Sequence, residues 1–253
     1  MSERELSLRD RVALVTGGGG DIGRAVAKML ADEGASVAVL DWDDEAARAA
    51  IDALGPGNSI TVNADVRDRE GVQRAIDFVV EQLGRIDIVV HSAGILKTAR
   101  LLKLSEEDWD EVFDTNTKGR FLVSSAVARH MIGRGGGGVI VDIGSITAER
   151  VAPGRLHYCV SNGTSEALMR AMAVDLGPHG IRVVTVSTGP VETRMLGGRA
   201  DDPERLARFI EHIPIGRIAQ PEDIADAIRY LVKDGARYVT GSVLRLDGGW
   251  MAG

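Results

Sequence analysis

The sequence predicts an α/β fold: a doubly wound, predominantly parallel seven-stranded sheet with helices on both faces. Three observations carry that prediction. Seven short β-branched or apolar runs alternate with longer amphipathic segments along 253 residues. The runs Val-Ala-Leu-Val-Thr and Ile-Asp-Ile-Val-Val are almost continuously apolar, as strands covered on both sides are. A glycine-rich turn also follows the first run and opens the first helical pattern.

In chain order, the first strand is expected at 12–16, followed by the turn and a helix over 22–33 that Gly34 ends. A second strand at 36–40 leads through Asp41 to a helix over 43–54, and a third at 60–63 to a helix over 68–83. The fourth strand is expected at 86–90. One long helical pattern, 106–132, follows Ser105, whose spacing to Asp108 resembles a capping box. A second glycine run, Gly135 to Gly138, follows a helix and opens a strand, so it reads as a flexible turn rather than a phosphate loop. Strands at 139–143 and 183–187 flank a helix over 155–177, with Gly180 behind it. Pro221 starts a helix over 221–232, and a strand at 242–246 closes the sheet. Residues 194–217 fit no core element. A substrate lid with a short helix is expected around 191–217, where Met195, Leu196 and Phe209 either line an apolar substrate site or pack the lid itself. The whole of 1–253 reads as a single domain, long enough to bury one large core.

With 30 basic against 37 acidic residues and a net charge of −7, the composition favours neither nucleic acid nor an anionic membrane as partner, and points to a small molecule. Cys159 is the only cysteine, so no intrachain disulfide forms and no cysteine-based metal site is expected. The charged opening lacks the apolar core of a signal peptide, and no stretch is long and apolar enough for a bilayer span, so a cytoplasmic protein is expected.

Thr16-Gly17-Gly18-Gly19-Gly20-Asp21-Ile22-Gly23 lies where glycines let backbone approach a pyrophosphate at a helix N-terminus. Asp41 ends the second strand, 18 residues after Gly23, where a carboxylate accepts hydrogen bonds from an adenosine ribose. Together they define a Rossmann dinucleotide site and favour NAD over NADP, because a 2′-phosphate beside Asp41 would be repelled.

These motifs resemble the short-chain dehydrogenase/reductase family over essentially the whole chain. The family's Thr-Gly-xxx-Gly-x-Gly turn is matched by Thr16, Gly17 and Gly23, with Asp21 at the middle glycine, where it reads as a helix N-cap. Asp65-Val66 resembles the adenine-contacting pair and Ala93-Gly94 the end of Asn-Asn-Ala-Gly. Gly189-Pro190-Val191-Glu192-Thr193 resembles the loop that holds the nicotinamide, and Thr240-Gly241 through Asp247-Gly248-Gly249 the closing strand and turn. The resemblance implies a cofactor set of Gly17, Gly19, Asp21, Ile22, Gly23, Asp41, Asp65, Val66, Ala93, Gly94, Tyr158, Asn162, Gly189, Val191 and Thr193, with no metal, and a homotetramer.

The family's catalytic Asn, Ser, Tyr and Lys map to Asn116, Ser145, Tyr158 and Asn162, so an amide stands where the lysine is expected. Ser145 would polarise a carbonyl and Tyr158 exchange its proton, while Asn162 would contact the ribose. Tyr158 and Asn162 share a helix face as i and i+4. Asn162 brings no charge to favour tyrosinate, and an ordinary phenol, pKa about 10, lies about 4 kcal/mol from ionisation at pH 7. Reduction, which uses the neutral phenol, should suffer less than oxidation.

His91 and Ser92 replace the two asparagines of the family's motif and Thr188 a proline, and these three departures together with Asn162 are expected beside the nicotinamide. His91 and His157 are candidate proton carriers against a structural reading, and Cys159 reads as packing. Three functions stay open: a short-chain oxidoreductase acting on a carbonyl or secondary alcohol, a non-redox dehydratase, isomerase or cyclase using Tyr158 and Ser145, and a catalytically silent NAD-binding protein.

Overall fold

The computed structural model describes residues 8–196, 206–207 and 210–253. Its strands are β1 (Val12–Thr16), β2 (Ser36–Asp41), β3 (Ile60–Asn63), β4 (Ile88–His91), β5 (Gly138–Ser145), β6 (Ile181–Thr188) and β7 (Val243–Leu246). They form one sheet in the order β3-β2-β1-β4-β5-β6-β7, and every pairing is parallel. The helices are α1 (Asp21–Asp32), α2 (Asp44–Asp52), α3 (Arg69–Leu83), α4 (Glu106–Phe113), α5 (Gly119–Arg134), α6 (Leu156–Leu176) and α7 (Pro221–Val232).

The strand sequences explain the two-sided burial. Ala13 and Val15 join one core with Val37, Val39 and helices α1, α2 and α7, whereas Val12 and Leu14 join a second with Ala38, Leu40 and helices α3, α5 and α6. Successive side chains point to opposite faces, so an unbroken apolar run feeds both cores at once.

From β1 the chain winds outward through β2 to β3, then returns to pair β4 on the other side of β1. That reversal opens a crevice at the carboxyl ends of the strands, where open α/β sheets bind ligands. Thr16, His91, Ser145 and Thr188 are the last residues of four strands that face it, and register pairs Thr16 with His91 and Ser145 with Thr188.

The long pattern over 106–132 is not one regular helix. Residues 114–118 form a π turn between α4 and α5, which inserts an extra residue and re-aims Asn116. Gly119 leaves that turn against Val66, where a Cβ would come within 2.7 Å of the valine side chain. Ser105 caps α4 by accepting the Asp108 amide at 3.1 Å. The second glycine run is a turn in which Gly137 passes so close to Gly180 that a Cβ would lie 2.3 Å from its carbonyl oxygen.

The described ends of the expected lid are anchored: Val191 bridges Ala219, and the Ile215 amide donates to the Gly248 carbonyl at 3.1 Å. Residues 197–205 and 208–209, Phe209 included, lie outside the described residues. Among the described residues no helix is long and apolar enough to cross a membrane.

Candidate active site

Two adjoining cavities of about 410 and 240 Å³ occupy the crevice. Ile22, Ser92, Ala93, Gly94, Thr193 and Met195 line both, so the two form one continuous cleft. The first holds Gly17, Gly19, Asp21, Asp41, Asp65 and Val66, and the second Asn116, Ser145, Tyr158, Asn162, Gly189 and Val191. Gly23 lines neither. Its role is steric, because a Cβ there would meet the Gly17 carbonyl oxygen at 2.2 Å. At Gly17, with φ +61°, a Cβ would lie 2.6 Å from the Ala93 backbone, so the turn and the segment just after β4 pack backbone to backbone.

Asp41 is only 7% exposed and is oriented by backbone: Gly19 N–H donates to one carboxylate oxygen at 2.9 Å and Asp43 N–H to the other at 3.1 Å. Each oxygen keeps acceptor capacity for a ribose hydroxyl. Across the cleft Arg67 grips Asp65 through its Nε and Nη2, and that hydrogen bonding holds the Asp65 carboxyl below the usual range.

Asp21 does not cap α1. Gly20 occupies the cap position, and Asp21 is the first helical residue. Its carboxylate instead accepts the Arg194 backbone N–H at 2.7 Å and the Arg194 Nε at 3.1 Å, while Arg194 Nη2 reaches the Gly19 carbonyl at 3.2 Å. The segment after β6 is thereby latched to the glycine turn, with the arginine opposing the carboxylate beside the cleft.

In the second cavity Asn116 ties the loop after β4 to α6: its Oδ1 accepts Ile95 N–H at 2.8 Å, and its Nδ2 donates to Ile95 O at 2.9 Å and Ser161 Oγ at 3.3 Å. The Asn116 carbonyl in turn accepts from Ser165 Oγ and from the Arg120 guanidinium, which forms a buried ion pair with Asp142. Burial pushes the Asp142 carboxyl up while Arg120 opposes the shift.

Ser145 Oγ accepts the Thr147 backbone N–H at 3.3 Å and the Thr147 hydroxyl at 3.0 Å, which leaves its own O–H to donate into the cavity. Asn162 is 3% exposed and bends back on its own helix, its Nδ2 donating to the Tyr158 carbonyl at 2.8 Å. One amide hydrogen is thus committed away from any ribose.

Of the four departures, Ser92, Asn162 and Thr188 line the second cavity. His91 does not. It is fully buried behind the strand ends, 2.7 Å from Ser124 Oγ, and burial, reinforced by the nearby Arg120 charge, pushes its pKa down to about 3. His157 is also buried away from the cavities, with its pKa lowered by desolvation. Both candidate proton carriers therefore stand outside the reacting space. Cys159 is buried, as packing requires.

The sequence reading missed Thr147, Arg194, Arg150, Arg155 and Trp250. Arg194 follows Thr193 directly, but its partner Asp21 is 173 positions away and leaves no local signal. Among the described residues no cluster of acid, His or Cys side chains could hold a metal. The glycine turn, the oriented Asp41 and the unbroken cleft fit an extended dinucleotide.

A family model described as "Enoyl-(Acyl carrier protein) reductase" matches residues 19–251. The chain is 34% identical to the 3-oxoacyl-[acyl-carrier-protein] reductase FabG of Chlamydia trachomatis, over 96% of this chain and 98% of that protein. It is 36% identical to the (3R)-3-hydroxyacyl-CoA dehydrogenase of Homo sapiens, over 98% of each. A crystal structure of a short-chain type dehydrogenase/reductase from Mycobacterium marinum superposes with a TM-score of 0.92 at 34% identity, covering 98% of both chains.

Proposed function

The chain belongs to the short-chain dehydrogenase/reductase family, and we propose that it is an NAD-dependent oxidoreductase of a carbonyl or secondary alcohol whose proton transfer is weakened by Asn162. The observation that carries the cofactor choice is Asp41: it ends β2 at the rim of the first cavity, both oxygens are fixed by backbone N–H groups, and no basic side chain pairs with it among the described residues. A carboxylate so placed accepts ribose hydroxyls and repels a 2′-phosphate.

Asp21, Gly17, Gly19 and Ile22 would flank the pyrophosphate, Asp65, Val66, Ala93 and Gly94 the adenosine, and Gly189, Val191 and Thr193 the nicotinamide end. When bound, the dinucleotide supplies or accepts the hydride. In reduction the carbonyl oxygen also needs a proton, which the chain's own side chains supply. Ser145 donates a hydrogen bond to the carbonyl oxygen, steadied by Thr147, and Tyr158 gives the proton. Asn116 holds the loop and helix that frame the pair. Asn162, standing at the position of the family's lysine, supplies no charge to stabilise tyrosinate, so the reverse reaction loses more than the forward one.

The domain is read as one unit spanning 1–253 with a lid over 191–217, and the protein as a cytoplasmic homotetramer. Exposed Phe121 on α5 and Val160 on α6 support association through that face. Nicotinamide absorbance followed across a panel of ketones and secondary alcohols tests the function. Turnover that falls about a thousandfold in Tyr158→Phe supports it. Conversion of a substrate with no dinucleotide present would instead support a proton-transfer enzyme on the same scaffold.

A further inference from the structure

The chain as a whole is acidic, with a net charge of −7, yet the reactive cavity is lined by Arg120, Arg150 and Arg155 and, among the described residues, by no Asp, Glu or Lys. Arg120 is neutralised by Asp142. Arg150 and Arg155 have no carboxylate partner among the described residues. The acid beside Arg150 in sequence, Glu149, is held by Arg245 through contacts of 2.6 and 2.7 Å, which leaves its neighbour unpaired.

Both arginines are fixed to the catalytic pair by backbone. The Arg150 amide donates to Ile146 O at 2.8 Å, closing the turn that starts after Ser145, and the Arg150 guanidinium lies 5.6 Å from the Trp250 ring centroid. Arg155 precedes α6, three residues before Tyr158, and its backbone bridges Ala99. Arg150 is exposed and Arg155 half-buried at the cavity wall. A planar guanidinium matches a carboxylate in a two-point bond, and a cation without a counter-charge gains from an anion that arrives with the substrate.

We propose, resting on the oxidoreductase reading above, that Arg150 and Arg155 bind a carboxylate carried by the substrate, so that the enzyme acts on small oxo acids and the corresponding hydroxy acids. The arginines share with Ser145 and Tyr158 one cavity of about 240 Å³, a volume that suits a small molecule carrying both the anion and the reacting carbonyl. That volume favours a compact oxo acid over a phosphate at the far end of a long carrier arm.

The test compares matched oxo acids with their methyl esters. The wild-type protein should reduce the acids with kcat/KM at least about tenfold above the esters, from KM, and the ratio should fall toward one in the double variant Arg150→Gln/Arg155→Gln and recover in part with lysine at both positions. A wild-type ratio of one or less, a ratio that survives the double change, or a preference for phosphate-bearing thioesters over oxo acids would each overturn the proposal. Should neither member of any pair turn over, the oxidoreductase reading fails separately, and calorimetric binding of an oxo acid against its ester to the NAD-loaded protein still decides the carboxylate site. Should the double variant not fold, the wild-type acid-to-ester ratio decides alone.

Discussion

In the half of the cleft proposed to hold the nucleotide the groups that set the shape are backbone donors, glycines and one buried aspartate, whereas the proposed reactive half is built from side chains such as Ser145, Tyr158 and Asn162. Gly17, Gly19 and Gly23 are fixed by contacts a Cβ would violate. Asn162 fills its place with a hydrogen bond to its own helix and leaves the frame intact. On the proposed function, binding a dinucleotide and turning it over rest on separate supports, so one can persist while the other weakens.

The largest way to disturb the comparison is to unsettle the floor beneath the reactive half. His91 is held neutral in the fold, with its pKa pushed down to about 3, whereas in the unfolded chain it takes a proton near pH 6.5. A depressed pKa contributes stability that is complete above about pH 6.5 and lost as pH falls toward about 3, up to ~5 kcal/mol. His91→Asn, which can keep a hydrogen bond to Ser124, should flatten the decline in denaturant midpoint between pH 7 and pH 4. Parallel pH curves for the two proteins would remove His91 as the cause.

A sharper cut at the nucleotide half is Gly23→Ala. Its methyl would meet the Gly17 carbonyl at 2.2 Å, and since that oxygen belongs to the backbone the turn must open. NAD affinity should fall by about a hundredfold, ~2.7 kcal/mol, in a fluorescence titration. The smallest effect belongs to the latch. Arg194→Ala removes a partly exposed ion pair with Asp21, worth roughly 1 kcal/mol or less, so NAD should bind at most ~5-fold more weakly, and less so in high salt. A loss as large as that of Gly23→Ala would move the latch into the nucleotide half proper.

The same division decides how much was legible in the sequence. The strands, their order of appearance, the glycine turn and Asp41 follow from short-range pattern, and the cleft at the sheet reversal follows from them. The π turn at 114–118 did not announce itself, because one inserted residue hardly disturbs a helical period over 106–134. Asp21 looked like a cap because its local context suits one, while its true partner Arg194 arrives from across the fold. His91 looked like a member of the reacting space because it sits in the motif, yet strand alternation turns its side chain to Ser124 while Ser92 lines the cavity.

The separation of binding from turnover is tested most directly by Asn162→Lys, with NAD affinity and NAD-linked alcohol oxidation measured side by side near pH 7. The lysine should raise oxidation about tenfold or more while the dissociation constant of NAD stays within about threefold, and the gain should shrink toward about pH 10, where hydroxide assists ionisation of a phenol. Oxidation that is already fast in the wild-type protein at pH 7, or that the lysine leaves unchanged, would contradict it.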